Sequence, residues 1–300
     1  MCVFIYNPNA GKGKIKKRLP LIVSCLEEIF GSVAVRATAA KGDAVSFAKE
    51  ACGNCEHLVF AGGDGTFNEI VNGIAGEEPR PALGYIPQGT TCDMAANYGL
   101  PKNFKRALNV IAGGRTIDAD IIKLTSPDNP APQYAAYVAA GGSLATISYA
   151  TPQSQKRTWG KFAYFFAALA FWRNPKPAAI ECIAPPLPNL SLLMVLNSSY
   201  VAGFRLNRGF APDDGKLQVI AVKRRGKNRV FRFLRLIWTM LRLRLSSKKG
   251  DFERKGVCRF SAERVVINSR NINWSLDGEE GPSGELELSV LSRHIRLFVR

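Results

Sequence analysis

The stretch His57-Leu58-Val59-Phe60-Ala61-Gly62-Gly63-Asp64-Gly65-Thr66-Phe67-Asn68-Glu69 decides the fold. His57 to Ala61 is a short apolar run that reads as a buried strand, and Phe67 to Ile74 has helical spacing. The glycine-rich turn between them makes this a strand–loop–helix unit. The same unit recurs on either side. Upstream, Val3 to Tyr6 reads as a strand that enters the polar loop Asn7-Pro8-Asn9-Ala10-Gly11-Lys12-Gly13-Lys14. A helix follows over Pro20 to Phe30, then a strand over Ser32 to Ala37 and a helix over Asp43 to Ala51 with Asp43 as N-cap. Downstream, Leu83 to Ile86 reads as a strand leading into Pro87-Gln88-Gly89-Thr90-Thr91-Cys92-Asp93 and a further helix. Alternation of this kind predicts a doubly wound, mostly parallel sheet, with ligands at the carboxyl ends of its strands.

The pattern changes after about Thr116. Ile117 to Leu124, Ala135 to Ala140, Leu190 to Leu196, Leu217 to Val222, Arg264 to Ile267 and Glu285 to Val290 read as short strands between turns. The expected fold class is therefore α/β plus mainly-β. A doubly wound domain over 1–118 precedes an antiparallel β-sandwich domain over 119–300. Two basic, apolar, helical insertions interrupt the second domain, from Lys156 to Arg173 and from Asn228 to Leu245. The length of 300 residues suits two domains, and 46% hydrophobic with 22% charged residues excludes the disordered classes.

Charge narrows the partners. Lysine and arginine number 41 against 24 acidic residues, a formal net charge of +17, which points to a polyanionic surface or an anionic substrate. From Lys223 to Lys249 there are 11 basic residues and no acidic one, interleaved with Phe231, Phe233 and Trp238. Lys156-Arg157 and Lys161 similarly precede Phe162, Tyr164, Phe165 and Phe166. Basic residues mixed with aromatics suit an anionic membrane surface, although a solvated face over a buried one gives the same pattern. Phe162 to Trp172 is too short to span a bilayer, and Val230 to Leu245 carries four arginines, so no membrane crossing is expected. No secretory signal is visible in Met1 to Pro8, so none is expected. No nucleic-acid-binding motif is visible. The 7 cysteines form no framework, so reduced thiols are expected, with Cys52 and Cys55 a weak redox or metal pair. With 2 histidines in the chain, histidine chemistry has little support.

The chemistry therefore rests on loops. Glycines at Gly62, Gly63 and Gly65 let the main chain approach a phosphate, and a helix N-terminus offers unpaired N–H groups. Asp64 would repel a nucleotide unless a magnesium ion lay between them. From spacing alone the segment serves equally as a glycine-rich turn capped by Asp64. It is neither a P-loop nor the dinucleotide fingerprint, whose third glycine is replaced by Asn68. Three polar, glycine-bearing loops at strand ends of one sheet together favour a nucleotide-phosphate cradle. Far downstream, Asp277-Gly278-Glu279-Glu280-Gly281 reads either as a hairpin turn or as a carboxylate site.

Asn7 to Gly11, Gly62 to Glu69, Ile86 to Asp93 and the distal Leu276-Asp277-Gly278-Glu279 occur in the order seen in the soluble diacylglycerol kinase family, which the chain resembles along nearly its whole length. Sphingosine, ceramide and bacterial lipid kinases belong to the same group. Asn197-Ser198 and Pro212-Asp213-Asp214-Gly215-Lys216-Leu217 also resemble family segments. The Gly-Gly-Asp-Gly-Thr loop is shared with NAD kinases and phosphofructokinases; the distal Asp-Gly-Glu favours a lipid kinase. The resemblance implies ATP bound in a cleft between the domains, contacted by Asn7, Pro8, Asn9, Ala10, Gly11, Thr38, Gly62, Gly63, Asp64, Gly65, Thr66, Phe67, Asn68 and Thr90. It makes Glu279 the catalytic base and Asp64 the carboxylate working with magnesium, with Asp277 beside them in the catalytic set. It also implies a structural magnesium held by Asp214 and the main-chain carbonyls of Ala211 and Lys216. Two positions depart from the family: Cys92 stands where asparagine is usual, and Ala96 where a basic residue is usual.

The expected function is thus an ATP- and Mg2+-dependent lipid kinase acting on a membrane lipid such as diacylglycerol. It would be cytoplasmic and peripheral at the inner membrane face. Two readings stay open beside it: a kinase of a soluble acceptor such as NAD, and a silent lipid- or nucleic-acid-binding relative. The sequence does not name the acceptor, and it leaves a homodimer open.

Overall fold

The computed structural model describes residues 1–127, 129–142, 180–184, 186–223, 238–239, 251–254 and 256–300. The insertion expected over residues 156–173, and that over 228–245 apart from residues 238–239, lie outside the described residues. The chain divides into two compact units, Met1–Ile121 with Ser292–Arg300, and Ile122–Leu291.

The first unit is built on strands β1 Cys2–Tyr6, β2 Val33–Ala37, β3 His57–Gly62 and β4 Ala82–Pro87, parallel in the order β4-β3-β1-β2. Its helices are α1 Lys14–Phe30, α2 Asp43–Ala51, α3 Asp64–Ile74, α4 Asp93–Asn97 and α5 Phe104–Ala112. Helices α1 and α5 pack together, as do α2 and α3. Strands β1 and β3 are therefore buried almost throughout, which explains their continuous apolar runs. Phe4, Ile15, Ile22, Leu26, Val59 and Ile111 share one core cluster. Phe60, Phe67 and Tyr85 form a separate aromatic cluster with ring centroids 5.0–5.4 Å apart.

Three local details differ from the sequence expectation. Helix α1 starts at Lys14, so Pro20 lies inside it. The buried stripe of Ile15, Ile22 and Leu26 holds the helix despite the proline's missing N–H. Gly42, at φ 94°, is the N-cap of α2, and Asp43 instead accepts the N–H groups of Ala39 and Ala40 at 2.7 and 2.8 Å. Those bonds hold its carboxyl below the ordinary value. Helix α3 begins three residues earlier than its apolar spacing indicates, at Asp64.

The second unit is antiparallel, as expected for the β-rich half. Its strands run β5 Thr116–Ser126, β6 Asn129–Ala135, β7 Val138–Gly142, β8 Ile180–Ala184, β9 Leu187–Leu196, β10 Tyr200–Val201, β11 Phe204–Arg205, β12 Leu217–Lys223, β13 Phe252–Arg254, β14 Val257–Ala262, β15 Arg264–Leu276 and β16 Glu279–Phe298. The main order is β13-β14-β12-β9-β7-β15-β16. Alternate residues such as Leu193, Val195, Val219, Ala221, Trp274 and Leu276 bury one core together with Ile122 and Leu124. The stretch Ala135 to Ala140 divides into two strands at Ala136 and Tyr137. The last strand is far longer than its apolar core, and its end beyond Ser292 returns to the first unit, where Leu297 pairs with Leu83.

At the N-terminal end of β3, His57 stacks on Phe30 at 4.4 Å and lies 5.8 Å from Phe298. Burial between these rings lowers its pKa below 6.5. A depressed histidine contributes stability that is complete above the unfolded value and lost as pH falls through 6.5 toward the folded value. His57→Phe is therefore expected to lose less melting temperature than the wild type between about pH 7.5 and about pH 5. Equal losses in calorimetric melts would remove His57 from the acid response.

Candidate active site

The strand-end loops of the first unit are in direct contact. After β1, Asn7 donates its N–H to Ala61 O at 3.1 Å, and its side-chain oxygen accepts the N–H of Asn9 at 2.9 Å. A tight turn over Ala10–Gly13 then leads into α1. Gly11 lies over Gln88, such that a Cβ on it would come within 3.1 Å of the Gln88 carbonyl oxygen. Gly63 and Gly89 meet main chain to main chain, and a Cβ on Gly89 would sit 2.6 Å from Gly63 Cα. Gly89 cannot carry a side chain without separating the loops, and a Cβ on Gly63 would be tight at 3.3 Å from Gly89 Cα. The segments Asn7–Gly11, Gly62–Asn68 and Gln88–Asp93 thus form one surface, as the three-loop reading expects. Thr38 follows β2 and donates its N–H to Tyr6 O at 3.0 Å, at the end of β1, and Thr90 is exposed on the third loop.

Asp64 heads α3, half-buried, and its Oδ1 accepts the N–H of Met94 at 3.1 Å. It thereby spans the second and third loops. Burial pushes its carboxyl above the ordinary value, against the opposing pull of neighbouring N–H groups and the Lys102 charge. Cys92 is wholly buried and left-handed at φ 52°, and its sulfur accepts the Gly89 N–H at 3.1 Å. That is the bond an asparagine carbonyl would make, in a backbone region that asparagine tolerates better. Burial pushes the Cys92 thiol up to about 11, so it stays neutral. Two cations flank the same loop. Arg18 donates to Gln88 Oε1 at 3.2 Å and lies 4.8 Å over the Phe104 ring, while Lys102 donates to Thr91 O at 2.7 Å and Thr90 O at 3.4 Å. Neither cation carries a motif, so sequence reading passes over both.

In the second unit Asp277 and Gly278 form the two-residue loop between β15 and β16, with Leu276 opposite Glu279. Both have positive φ, 51° and 89°, the signature of a type I′ hairpin turn. The hairpin reading of Asp-Gly-Glu holds for the turn itself. Asp277 is buried, and its carboxylate accepts the N–H groups of Ala136 at 2.6 Å, Tyr137 at 3.0 Å and Val138 at 2.9 Å. Its own N–H donates to Val138 O at 2.9 Å. The hairpin tip is thereby tied to the bend between β6 and β7, the bend that Asn197 also holds through Ala136 O at 3.2 Å. Asp277 acts on the main chain, and Glu279, half-buried as the first residue of β16, follows directly from the turn.

Asp214 lies on a different turn of this unit, exposed, with Oδ1 accepting the Lys216 N–H at 3.0 Å. Ala211 and Lys216 bracket that turn. Among the described residues no group of three or more histidine, cysteine or acidic side chains gathers to hold a metal. The Cys52 and Cys55 thiols each donate to a carbonyl one helical turn back, at 3.5 and 3.4 Å, and burial raises both, Cys52 to about 11. Neither is poised as a nucleophile.

Asp277→Asn would place an amide N–H against main-chain N–H donors. A loss of about 1.5–3 kcal/mol in urea unfolding is expected, the scale of a hydrogen bond to a charged group. Wild-type stability in that variant would rule out the clamp.

Residues 1–124 match the family model described as the diacylglycerol kinase catalytic domain. Over 300 residues the chain is 32% identical to the diacylglycerol kinase of Staphylococcus aureus (strain MRSA252), covering 98% of the chain and 90% of that relative. Over 306 residues it is 31% identical to the diacylglycerol kinase of Bacillus subtilis (strain 168), covering 98% and 95%. A solved structure described as a putative diacylglycerol kinase from Bacillus anthracis str. Sterne superposes with TM-score 0.79 at 24% identity, covering 100% of the chain and 95% of its own. An NAD kinase from Archaeoglobus fulgidus in complex with ATP reaches TM-score 0.52 at 13% identity, covering 99% and 93%. The structural likenesses speak for fold alone; the sequence identity, sustained across the chain, carries the kinship. The chain belongs to the diacylglycerol kinase family of lipid kinases.

Proposed function

We propose that the chain transfers the terminal phosphoryl group of ATP to the hydroxyl of a membrane lipid, diacylglycerol in the first instance, and that magnesium assists. The observation that carries this reading is the packing of three glycine-bearing loops around Asp64, in a chain whose relatives at 31–32% identity are diacylglycerol kinases. Main-chain N–H groups at the head of α3 and in the loops Asn7–Gly11 and Gln88–Thr90 would take the phosphates. Asp64 supplies a hard oxygen ligand whose charge is costly where it lies, so a divalent cation fits it. Magnesium, when bound there, neutralises phosphate charge. The turn of Ala211, Asp214 and Lys216 offers one carboxylate and two carbonyls, oxygen donors that fit a hydrated magnesium in a structural role.

In the reaction the lipid hydroxyl oxygen attacks the terminal phosphorus, and the bond from that phosphorus to the bridging oxygen of ADP breaks. Glu279 accepts the hydroxyl proton. Asp277 sets where Glu279 stands, because the turn preceding it is fixed through three main-chain donors.

Membrane association belongs to the same proposal. No helix among the described residues is long and apolar enough to cross a bilayer. The net charge of +17 and the basic run from Lys223 to Lys249 support attraction to an anionic membrane, with the enzyme peripheral on its cytoplasmic face.

Radiolabelled phosphate transfer to detergent-dispersed diacylglycerol, sphingosine, ceramide and NAD tests the acceptor. Diacylglycerol is expected to be labelled, and transfer to NAD alone would overturn the lipid reading. Asp64→Asn and Glu279→Gln are each expected to lower turnover 100-fold or more, about 2.7 kcal/mol. The Asp64→Asn melting temperature should stay at or above wild type, since the amide oxygen still accepts the Met94 N–H and a costly buried charge is gone. Near-normal turnover in Glu279→Gln would remove it as base. Replacing Arg229, Arg232 and Arg235 with glutamine should weaken sedimentation with anionic vesicles, at roughly 1 kcal/mol per residue, and spare turnover on a short-chain soluble acceptor. Binding indifferent to salt and to anionic lipid would end the electrostatic model.

A further inference from the structure

Lys102 is exposed, follows α4, and makes no ion pair among the described residues. Its ammonium turns back onto the third strand-end loop, donating to Thr91 O at 2.7 Å and more weakly to Thr90 O at 3.4 Å. Carbonyls hold an ammonium in place without cancelling its charge. A lysine has three donors, and two are spent here, so the third N–H and the full positive charge stay with the loop. That loop packs against the start of α3 through Gly89 and Gly63, and Asp64 reaches it through Met94. The Lys102 charge is felt at Asp64 and at Cys92 alike.

The other cation on this loop is differently placed. Arg18 is tied to the Gln88 side chain and covers the Phe104 ring, so its guanidinium is already engaged by an acceptor and a π-face. On α4 itself Ala96 offers no charge. Lys102 is therefore the cation that the fold fixes to the Thr90–Thr91 main chain.

Resting on the reading of these loops as a nucleotide site, we infer that Lys102 is a phosphate-binding residue: its ammonium, anchored by the Thr90 and Thr91 carbonyls, contacts the phosphate chain of the nucleotide. The ligand class is a nucleoside di- or triphosphate. Lysine acts there as a point charge and not as a bidentate fork. The same loop offers its own N–H groups to phosphate, so a residue that only held it in shape would tolerate Lys102→Gln, whose amide can still donate to the Thr91 carbonyl. Near-normal ADP affinity in that variant would overturn the assignment. A phosphate ligand discriminates by phosphate.

Calorimetric binding of adenosine and of ADP to the full chain separates these cases. Lys102→Met is expected to weaken ADP about tenfold or more, the scale of one lost charge-assisted hydrogen bond, and to leave adenosine within about twofold. Lys102→Arg should keep most of the ADP affinity, because the charge remains. Equal weakening of both ligands, or unchanged ADP affinity in Lys102→Met, would overturn the assignment and leave the nucleotide site standing. Failure of the wild type to bind ADP would overturn the nucleotide reading itself, and this assignment with it.

Discussion

The loop surface of the first unit depends on one close approach, the main-chain contact of Gly63 with Gly89. A Cβ on Gly89 would lie 2.6 Å from Gly63 Cα, closer than any packing tolerates. Because both positions are bare, two loops from neighbouring strands β3 and β4 can share a surface. Asp64 then reaches the Met94 N–H, and α4 is set relative to α3. The parallel sheet below supplies the rigid frame, since β3 and β4 are buried almost throughout and the helices pack in pairs. Loops that would otherwise be mobile are thus positioned by buried structure, which is what phosphate binding by main-chain N–H groups requires.

The second half solves a comparable problem with a carboxylate. A type I′ turn at the tip of a hairpin would ordinarily be solvated and loosely placed. Here the Asp277 side chain gathers three N–H groups from the bend between β6 and β7, so the turn is buried and fixed. Asp277 and Glu279 lie two residues apart and have opposite tasks: one spends its charge on the main chain, the other stands at the start of β16. Two carboxylates in one motif thus stand in different surroundings, one buried against main-chain N–H groups and the other half-buried. Cys92 shows how a departure from the family is accommodated. Its sulfur takes the Gly89 N–H, and burial keeps the thiol neutral, so the loop keeps its course at the cost of a left-handed backbone on a residue with a Cβ.

Most of the architecture was legible because the period of apolar residues follows from local geometry. Runs such as Leu58 to Ala61 and Leu83 to Ile86 are apolar throughout because helices cover both faces, and glycines follow each where a helix must begin. The misplacements fall where a long-range force overrides a local one. The core contacts of Ile15, Ile22 and Leu26 carry α1 through Pro20. Asp43, an N-cap by type, is drawn to the N–H groups of the preceding turn. Strands β15 and β16 extend well past their apolar centres because ladder hydrogen bonds to neighbours sustain polar residues such as Asn268 and Glu285.

By itself the sequence determined the change from α/β to β-rich structure, the glycine-bearing strand-end loops and the family motifs, since each is written in consecutive residues whose types the backbone conformation demands. The return of Ser292–Arg300 to the first unit is not so written. Tertiary structure alone decided which side chains serve those loops. Asp277 meets Ala136, Tyr137 and Val138 across some 140 positions of chain, and Arg18 meets Gln88 across 70. Lys102 lies near its loop in sequence, yet only the return of the chain after α4 aims its ammonium at the Thr90 and Thr91 carbonyls. A hydrogen bond depends on distance and direction in space, and no spacing along the chain encodes either once the partners belong to different elements.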